Sequence, residues 1–195
     1  MNYSDILIPE RSIPNHIANT AIVLCASWII AISSQIMIQL PFSPIPVTAQ
    51  TLAVLLTGFV LGKRMGAASI AAYLAQGAAG LPFFAGGKSG LAVLFGPTAG
   101  YLFGFLAAVY IVGMLIELRF KRSFLQAIIV LIIGNTIIYA FGLVWLARFV
   151  GESQVLQLGL YPFIVGDVLK ILLGIVLVGG SSALISRSKP TGISV

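Results

Sequence analysis

Charged residues are scarce in this chain: Asp, Glu, Lys and Arg make up 8% of its 195 residues, whereas hydrophobic residues make up 59%. Because a soluble fold needs polar side chains to cover its surface, this composition excludes a soluble globular domain. The length allows about six membrane spans of roughly 20 residues with short connections. We therefore predict an all-α integral membrane protein, with residues 1–195 forming a single membrane domain of six helices in a compact bundle.

Cysteine and histidine are rarer still, with Cys25 and His16 the single examples of each. A lone cysteine cannot form an intramolecular disulfide, and it cannot hold a metal cluster by itself. The apolar segments also lack a nucleophile elbow and the His/Glu spacing of a metal site. We therefore expect no enzymatic activity, no metal and no cofactor.

Six apolar segments account for most of the chain. The second is short for a full crossing, and the third ends at Gly80-Leu81-Pro82, because proline interrupts a helix. The predicted spans are residues 17–40, 47–61, 65–81, 99–118, 124–147 and 164–185.

The net charge of +6 lies mainly in the connections between spans, which differs from the single basic face of a nucleic-acid-binding protein. If the N-terminus is cytoplasmic, the positive-inside rule is satisfied and both termini are inside. No nucleic-acid partner is expected, and membrane lipid surrounds the bundle. The inside residues are then Arg11, Lys63, Arg64, Arg119, Lys121, Arg122, Arg187 and Lys189, and the outside ones are Lys88 and Arg148.

Apart from Glu117 at the end of the fourth, only two charges lie in the predicted spans, and both are in the sixth: Asp167 and Lys170. A charge at the centre of a membrane helix costs roughly 2.5–3.5 kcal/mol on insertion scales, so its retention indicates a function. Residues three apart share one face of a helix, so both side chains can point into one cavity near the outer end of the bundle. The alternative is a structural ion pair that closes the bundle, although such pairs are poor stabilisers.

The connection between the first two spans is rich in proline, with Pro41, Pro44 and Pro46 within six residues. Proline fixes φ and removes a backbone donor, so this segment is expected to be stiff and extended. A stiff segment loses little entropy when it closes over a ligand. The segment is therefore either a lid over a pocket or a tight hairpin between helices, and Thr48 is the expected N-cap of the second helix.

The connection between the third and fourth spans, residues 83–98, is apolar but too short to cross a membrane. Its glycines permit positive φ and close approach of the backbone. Gly87-Lys88-Ser89 resembles the end of a phosphate-binding P-loop, but Pro82 stands where that motif requires glycine. We therefore reject a nucleotide site and expect no ATPase in this chain.

Small residues repeat at every fourth position in two series. Such faces let membrane helices approach closely, so they serve either packing within this bundle or docking of another membrane subunit. The first series is Gly58, Gly62 and Gly66, and the second is Ala67, Ala71, Ala75 and Ala79.

Four short segments carry a resemblance to a known family. They are Pro-Phe-Ser-Pro-Ile-Pro-Val-Thr (41–48), Gly-Leu-Pro-Phe-Phe-Ala-Gly-Gly (80–87), Gly-Pro-Thr-Ala-Gly-Tyr (96–101) and Gly-Asp-Val-Leu-Lys (166–170). In this order and on a six-span chain, they resemble the signature segments of the BioY family. That family comprises the biotin-specific substrate-binding subunits, or S components, of energy-coupling factor (ECF) transporters.

The resemblance implies six membrane helices in a bacterial-type plasma membrane and a biotin pocket open to the outside. It implies a transmembrane coupling subunit and two ABC-type ATPases as partners, which agrees with the missing nucleotide motif. It also implies that residues 42–50 cover the ligand. The polar ligand contacts that it implies are Lys88, Tyr101, Asp167 and Lys170.

Biotin has a ureido ring with two N–H donors and a carbonyl, an apolar thioether ring and a carboxylate. We expect Asp167 to accept from the ureido N–H groups, and Lys170 or Lys88 to meet the carbonyl or the carboxylate. Aromatic side chains are expected to enclose the apolar ring, and Tyr101 is either a pocket donor or a tyrosine of the interfacial belt. The full expected set is Asp167, Lys170, Lys88, Tyr101, Phe42, Thr48, Gln50, Phe84, Gly86 and Gly87.

An alternative function is a self-sufficient secondary transporter of a small carboxylate-bearing nutrient, in which Asp167 would carry a coupling proton. Six spans are few for an internally repeated transporter, and the two halves of the sequence show no repeat. Within the S components a different vitamin is the other alternative, because kinship of fold does not fix the ligand.

Overall fold

The computed structural model describes residues 15–118, 124–164, 166, 167 and 170. The long helices in these ranges are α1 (Asn15–Gln35), α2 (Gln50–Ala78), α3 (Ala99–Glu117) and α4 (Phe124–Val150), and a short helix α5 (Val155–Gly159) follows. The α1–α2 connection contains two short antiparallel strands, β1 (Met37–Ile38) and β2 (Val47–Thr48). The α2–α3 connection contains two 3₁₀ turns, Ala85–Gly87 and Leu91–Phe95.

Helices α1 to α4 are each long and apolar enough to cross a membrane. The chain is therefore a multi-pass membrane protein, as its composition predicted. The predicted count of six helices is not confirmed, because the sixth predicted span, residues 164–185, lies almost wholly outside the described residues.

Helix α2 is broken in the middle at Gly62, whose φ of 74° and ψ of −176° are not helical. A Cβ atom placed on Gly66 would lie 3.3 Å from the Cα atom of Gly58, whereas eight residues of a straight helix span about 12 Å. The two halves, residues 50–61 and 63–78, therefore fold back on each other. They correspond to the second and third predicted spans, which the sequence had separated at Lys63 and Arg64.

Helix α3 is the central helix, packing against both α2 and α4. Val109 and Val112 of α3 are fully buried, and a Cβ atom on Gly58 would lie 2.8 Å from the carbonyl oxygen of Val109. The first small-residue series thus serves packing within the bundle, since Gly66 also faces Val109. The second series is different, because Ala71, Ala75 and Ala79 are exposed.

The first helix ends five residues earlier than predicted, at Gln35 and not at residue 40. Met37 and Ile38 instead pair with Thr48 and Val47. This pairing satisfies backbone groups on both sides of the proline-rich segment, which a longer helix would leave without partners.

Candidate functional site

A cavity lies at the end of the bundle where both α2 and α3 begin. Its walls come from the start of α2, the 84–93 connection, the first turns of α3 and the middle of α4, together with Phe163, Asp167 and Lys170. Most of the wall is apolar, with a few polar groups converging on it, which is typical of a small-molecule site. Seven of the expected ligand-binding residues line it: Thr48, Gln50, Phe84, Lys88, Tyr101, Asp167 and Lys170.

Asp167 and Lys170 form an ion pair in the cavity wall, with Lys170 Nζ 3.1 Å from Asp167 Oδ1. Their side chains are only 7% and 16% exposed, respectively, so both are largely withdrawn from water. The predicted common face of the two residues is present. Because removal from water penalises each charge, the pair needs further hydrogen bonds to persist.

Two further side chains provide those hydrogen bonds, and sequence reasoning missed both as site residues. The Tyr139 hydroxyl on α4 donates to Asp167 Oδ2, and Lys170 Nζ donates to Thr51 Oγ1 over 3.1 Å. Tyr139 and Thr51 also line the cavity. The only signal in the sequence was that a buried carboxylate and ammonium require partners, which does not say which helices supply them.

Tyr101 is buried in the wall and is not a belt tyrosine, since it is 8% exposed. Its hydroxyl donates to the carbonyl oxygen of Gly159 over 2.8 Å, which ties α3 to α5. Its ring lies edge-on to the ring of Tyr139, with centroids 6.3 Å apart. A Cβ atom on Gly142 would lie 2.4 Å from this ring, so the glycine is what lets Tyr101 approach α4. The ring of Tyr101 therefore forms part of the cavity wall, whereas its hydroxyl is occupied by the hydrogen bond to the Gly159 carbonyl oxygen.

The connection after α2 positions Phe84 and Lys88 in different ways. Phe84 is 2% exposed and packs edge-on against Tyr73, with centroids 5.6 Å apart. A Cβ atom on Gly77 would lie 2.5 Å from the Phe84 ring, so this ring is fixed by close packing on α2. Lys88 is exposed, and its carbonyl oxygen accepts from the Phe84 N–H over 3.0 Å. The two residues are thus joined by a backbone hydrogen bond across the turn. Of the two, Phe84 is also fixed by the packing of its side chain.

Three expected ligand-binding residues do not line the cavity: Phe42, Gly86 and Gly87. Phe42 is 60% exposed, so the expectation that it encloses a ligand is not met in this conformation. Gly86 and Gly87 adopt φ values of 72° and 69°, which side chains rarely tolerate. Their role is to form the turn that places Lys88.

The proline-rich segment lies against the cavity and is more than a tight hairpin. Ile45 and Pro46 line the cavity, and the buried Ser43 holds the segment to α5 by donating to the carbonyl oxygen of Leu158 over 2.7 Å. The Ser43 hydroxyl also accepts from the N–H of Ile45 over 3.1 Å. This position is the one expected of a lid.

Thr48 and Gln50 stand where the proline-rich segment meets α2. The N-cap of α2 is Ala49 and not Thr48 as predicted, although the Thr48 hydroxyl accepts from the Gln50 N–H over 3.3 Å. Gln50 is 3% exposed. Its side-chain amide faces the buried hydroxyl of Tyr73, and within the described ranges neither Gln50 Nε2 nor that hydroxyl has another hydrogen-bond partner.

Comparison with known proteins gives the family of this chain. A family model described as the BioY family matches residues 9–187. This chain belongs to the BioY family. The resemblance read from the four sequence segments is thereby confirmed.

Individual relatives of this BioY-family chain support the same assignment. It is 37% identical over 154 residues to "Biotin transporter BioY" of Thermotoga maritima, covering 78% of this chain and 85% of that protein. It is 41% identical over 159 residues to "Biotin transporter BioY2" of Lactococcus lactis, covering 79% and 84%. These relatives are named as transporters, in agreement with the prediction that this chain is not an enzyme.

A solved structure also resembles the fold. The crystal structure of the S-component for biotin from an ECF-type ABC transporter superposes with a TM-score of 0.75 at 27% sequence identity. The match covers 86% of this chain and 93% of that one. The mostly helical membrane fold of this chain is thus of the S-component type.

Proposed function

We propose that this chain is the biotin-binding subunit of a vitamin uptake transporter. The observation that carries the proposal is the buried Asp167–Lys170 ion pair in the wall of a largely apolar cavity, in a chain of the BioY family. A buried ion pair seldom stabilises a fold on balance, so a polar ligand is a better reason for its retention than stability.

The charges of the cavity suggest how biotin is oriented. Lys170 is already neutralised by Asp167 at 3.1 Å, so a ligand carboxylate placed there would set two anions around one buried cation. The ureido group is neutral and offers both donors and an acceptor, which matches a pair that is itself neutral. We therefore place the ureido ring against Asp167 and Lys170, with the side-chain amide of Gln50, which also lines the cavity, as a further hydrogen-bonding group.

The carboxylate then belongs at Lys88. This lysine lines the cavity and is exposed, and it forms no ion pair within the part of the chain that the structure describes. An exposed ammonium loses little hydration when it meets an anion, and the pair gains a charge-assisted hydrogen bond. The apolar ring between the two ends would contact Phe84, Phe105 and Phe163, all of which line the cavity.

The proposal includes the direction of transport and the partners. Lys63 and Arg64 lie at the bend of α2, at the end of the bundle opposite the cavity, so the positive-inside rule supports a cavity open to the outside and termini in the cytoplasm. An ECF transmembrane coupling subunit and two ABC-type ATPases would supply energy, since the structural relative is an S-component of an ECF-type ABC transporter.

The test is calorimetric titration of the purified, detergent-solubilised chain with biotin. Saturable one-to-one binding in the calorimeter supports the proposal. So does a filter assay in which unlabelled biotin displaces labelled biotin from the chain. Absence of binding in a folded, biotin-free sample removes biotin as the ligand. ATP-dependent uptake in vesicles only when the coupling subunit and both ATPases are present would support the partners, whereas uptake driven by a proton gradient in this chain alone would favour a secondary transporter.

A further inference from the structure

Gln35, the last residue of α1, reaches across to the connection that carries Lys88. Its side-chain Oε1 accepts from the N–H of Gly87 over 2.9 Å, and its Nε2 donates to the carbonyl oxygen of Phe84 over 3.2 Å. One amide thus bonds to both sides of the turn between Phe84 and Lys88. Neither the family resemblance nor the cavity wall includes Gln35.

The preceding residue of α1 strengthens this attachment. The buried Ser34 hydroxyl lies 2.6 Å from the carbonyl oxygen of Phe83 and accepts from Gln35 Nε2 over 2.8 Å. Serine 34 therefore fixes the rotamer of Gln35 as well as the start of the turn. A polar pair at the end of an otherwise apolar membrane helix has a purpose here, since it supplies partners to backbone groups of a non-helical segment.

The turn needs such an attachment mainly on its Lys88 side. Phe84 is held by its ring, which is closely packed over Gly77. Lys88 follows two glycines with positive φ and lies two residues before Gly90, which has a φ of 87°, so the flanking backbone is intrinsically free to adopt many conformations. The Gly87 N–H bonded to Gln35 immediately precedes Lys88.

We propose that Gln35 is a positioning residue for the carboxylate-binding lysine: its amide fixes the Gly87–Lys88 backbone and so directs Lys88 to the mouth of the cavity. This inference rests on the proposed biotin function, in which Lys88 meets the ligand carboxylate. Gln35 itself touches no ligand and acts through Lys88. The consequence is selectivity for a carboxylate, separate from the affinity for the ureido ring.

The experiment uses the full chain with Gln35→Met, which keeps the length of the side chain and removes its hydrogen bonds to Gly87, Phe84 and Ser34. The matched control is Gln76→Met, because Gln76 also bonds to α1, donating to Ser27 Oγ over 3.0 Å, but does not line the cavity. Each variant is titrated with biotin and with biotin methyl ester, which lacks the negative charge. Thermal unfolding in detergent verifies that each variant is folded.

We expect Gln35→Met to weaken biotin binding about fivefold and to leave the affinity for the methyl ester within about twofold of the parent. In a chain that already carries Lys88→Ala, Gln35→Met should weaken biotin binding by less than about a further twofold, because both variants then act on the same contact. Gln76→Met should change neither affinity. The inference is overturned if Gln35→Met binds biotin as the parent does, or if it loses affinity equally for biotin and for the methyl ester. It is also overturned if the losses of biotin affinity caused by Gln35→Met and Lys88→Ala multiply in the double variant. A parent chain that binds biotin while showing any of these results leaves the proposed function standing, whereas a parent that does not bind biotin removes both.

Discussion

Two ion pairs of nearly equal length lie at opposite ends of the bundle. Lys170 and Asp167 are 3.1 Å apart in the cavity wall, and Lys63 and Glu117 are 3.0 Å apart beside the bend in α2. Their environments differ. Side-chain exposures are 16% and 7% in the first pair, and 32% and 40% in the second.

The exposed pair has a structural explanation that is complete without a ligand. Glu117 Oε1 accepts from the backbone N–H of Lys63 over 2.9 Å, the first donor after the break at Gly62. A carboxylate at the N-terminus of a helical segment accepts from a backbone N–H that has no partner within the helix. Its negative charge also interacts favourably with the partial positive charge at that end of the helix dipole. Glycine at 62 is needed there, since a Cβ atom would lie 2.6 Å from Glu117.

The buried pair has no such explanation. Among the residues that the structure describes it caps no helix, and its charges are stabilised by Tyr139 of α4 and Thr51 of α2. Two ion pairs with nearly the same N···O distance therefore have different roles. Their exposure and their hydrogen-bond partners distinguish the helix cap at Lys63–Glu117 from the buried polar pair in the cavity wall.

The largest effect is expected from Asp167→Asn. The variant leaves Lys170 buried without its counter-charge, and removal of one partner of a buried pair costs about 3–5 kcal/mol. Biotin affinity should fall by about 100-fold or more. Glu117→Gln is the matched control, since it removes the carboxylate of the exposed pair, and calorimetry should give it the affinity of the parent. If both variants bind equally well, the buried pair is structural too.

The next effect concerns Tyr139→Phe, which removes one hydroxyl and keeps the ring. A hydrogen bond to a charged group contributes about 1.5–3 kcal/mol, so biotin binding should weaken about thirtyfold. Tyr110→Phe serves as the control, because Tyr110 is on α3, 47% exposed, and does not line the cavity. A Tyr139→Phe variant with parental affinity would mean that Asp167 does not require this donor.

A smaller effect is expected from Lys88→Ala, because this lysine is exposed. Biotin binding should weaken about tenfold through loss of a charge-assisted hydrogen bond, and biotin methyl ester should bind the variant and the parent alike. High salt should narrow the difference between the two ligands in the parent, since exposed charges are screened. If both ligands lose affinity equally, the carboxylate is not at Lys88.

The sequence predicted the parts of this molecule whose residue types are costly or unusual in a membrane. Asp167 and Lys170 were found because charges are rare within spans. The bend in α2 was found as a break between spans, since Lys63 and Arg64 stand at it. The helical membrane fold followed from composition alone.

The parts that the sequence did not predict depend on how helices are rotated against one another. Tyr139 and Thr51 are unremarkable within their spans, and only packing brings them to Asp167 and Lys170. The hydroxyl of Tyr101 is bonded to Gly159, which no local pattern indicates. Phe42, expected in the wall, is exposed here, because side-chain direction in a non-helical segment is set by the contacts of its neighbours, here Ser43 with Leu158; its contact with a ligand stays a prediction.

The smallest effect is expected from Glu117→Gln in its own right. Pairs as exposed as Lys63 and Glu117 contribute about 0–1 kcal/mol, and glutamine retains an oxygen that can accept from the Lys63 N–H. The variant should lower the unfolding temperature by no more than a few degrees. Glu117→Ala removes the acceptor as well as the charge, so it should be destabilised further than Glu117→Gln, with biotin affinity unchanged in both. Thermal unfolding in detergent, measured beside calorimetric titration, decides this. Equal unfolding temperatures for the two variants would show that the charge, and not the helix cap, is what Glu117 contributes, and a loss of biotin affinity in either would show that the two ends of the bundle are coupled.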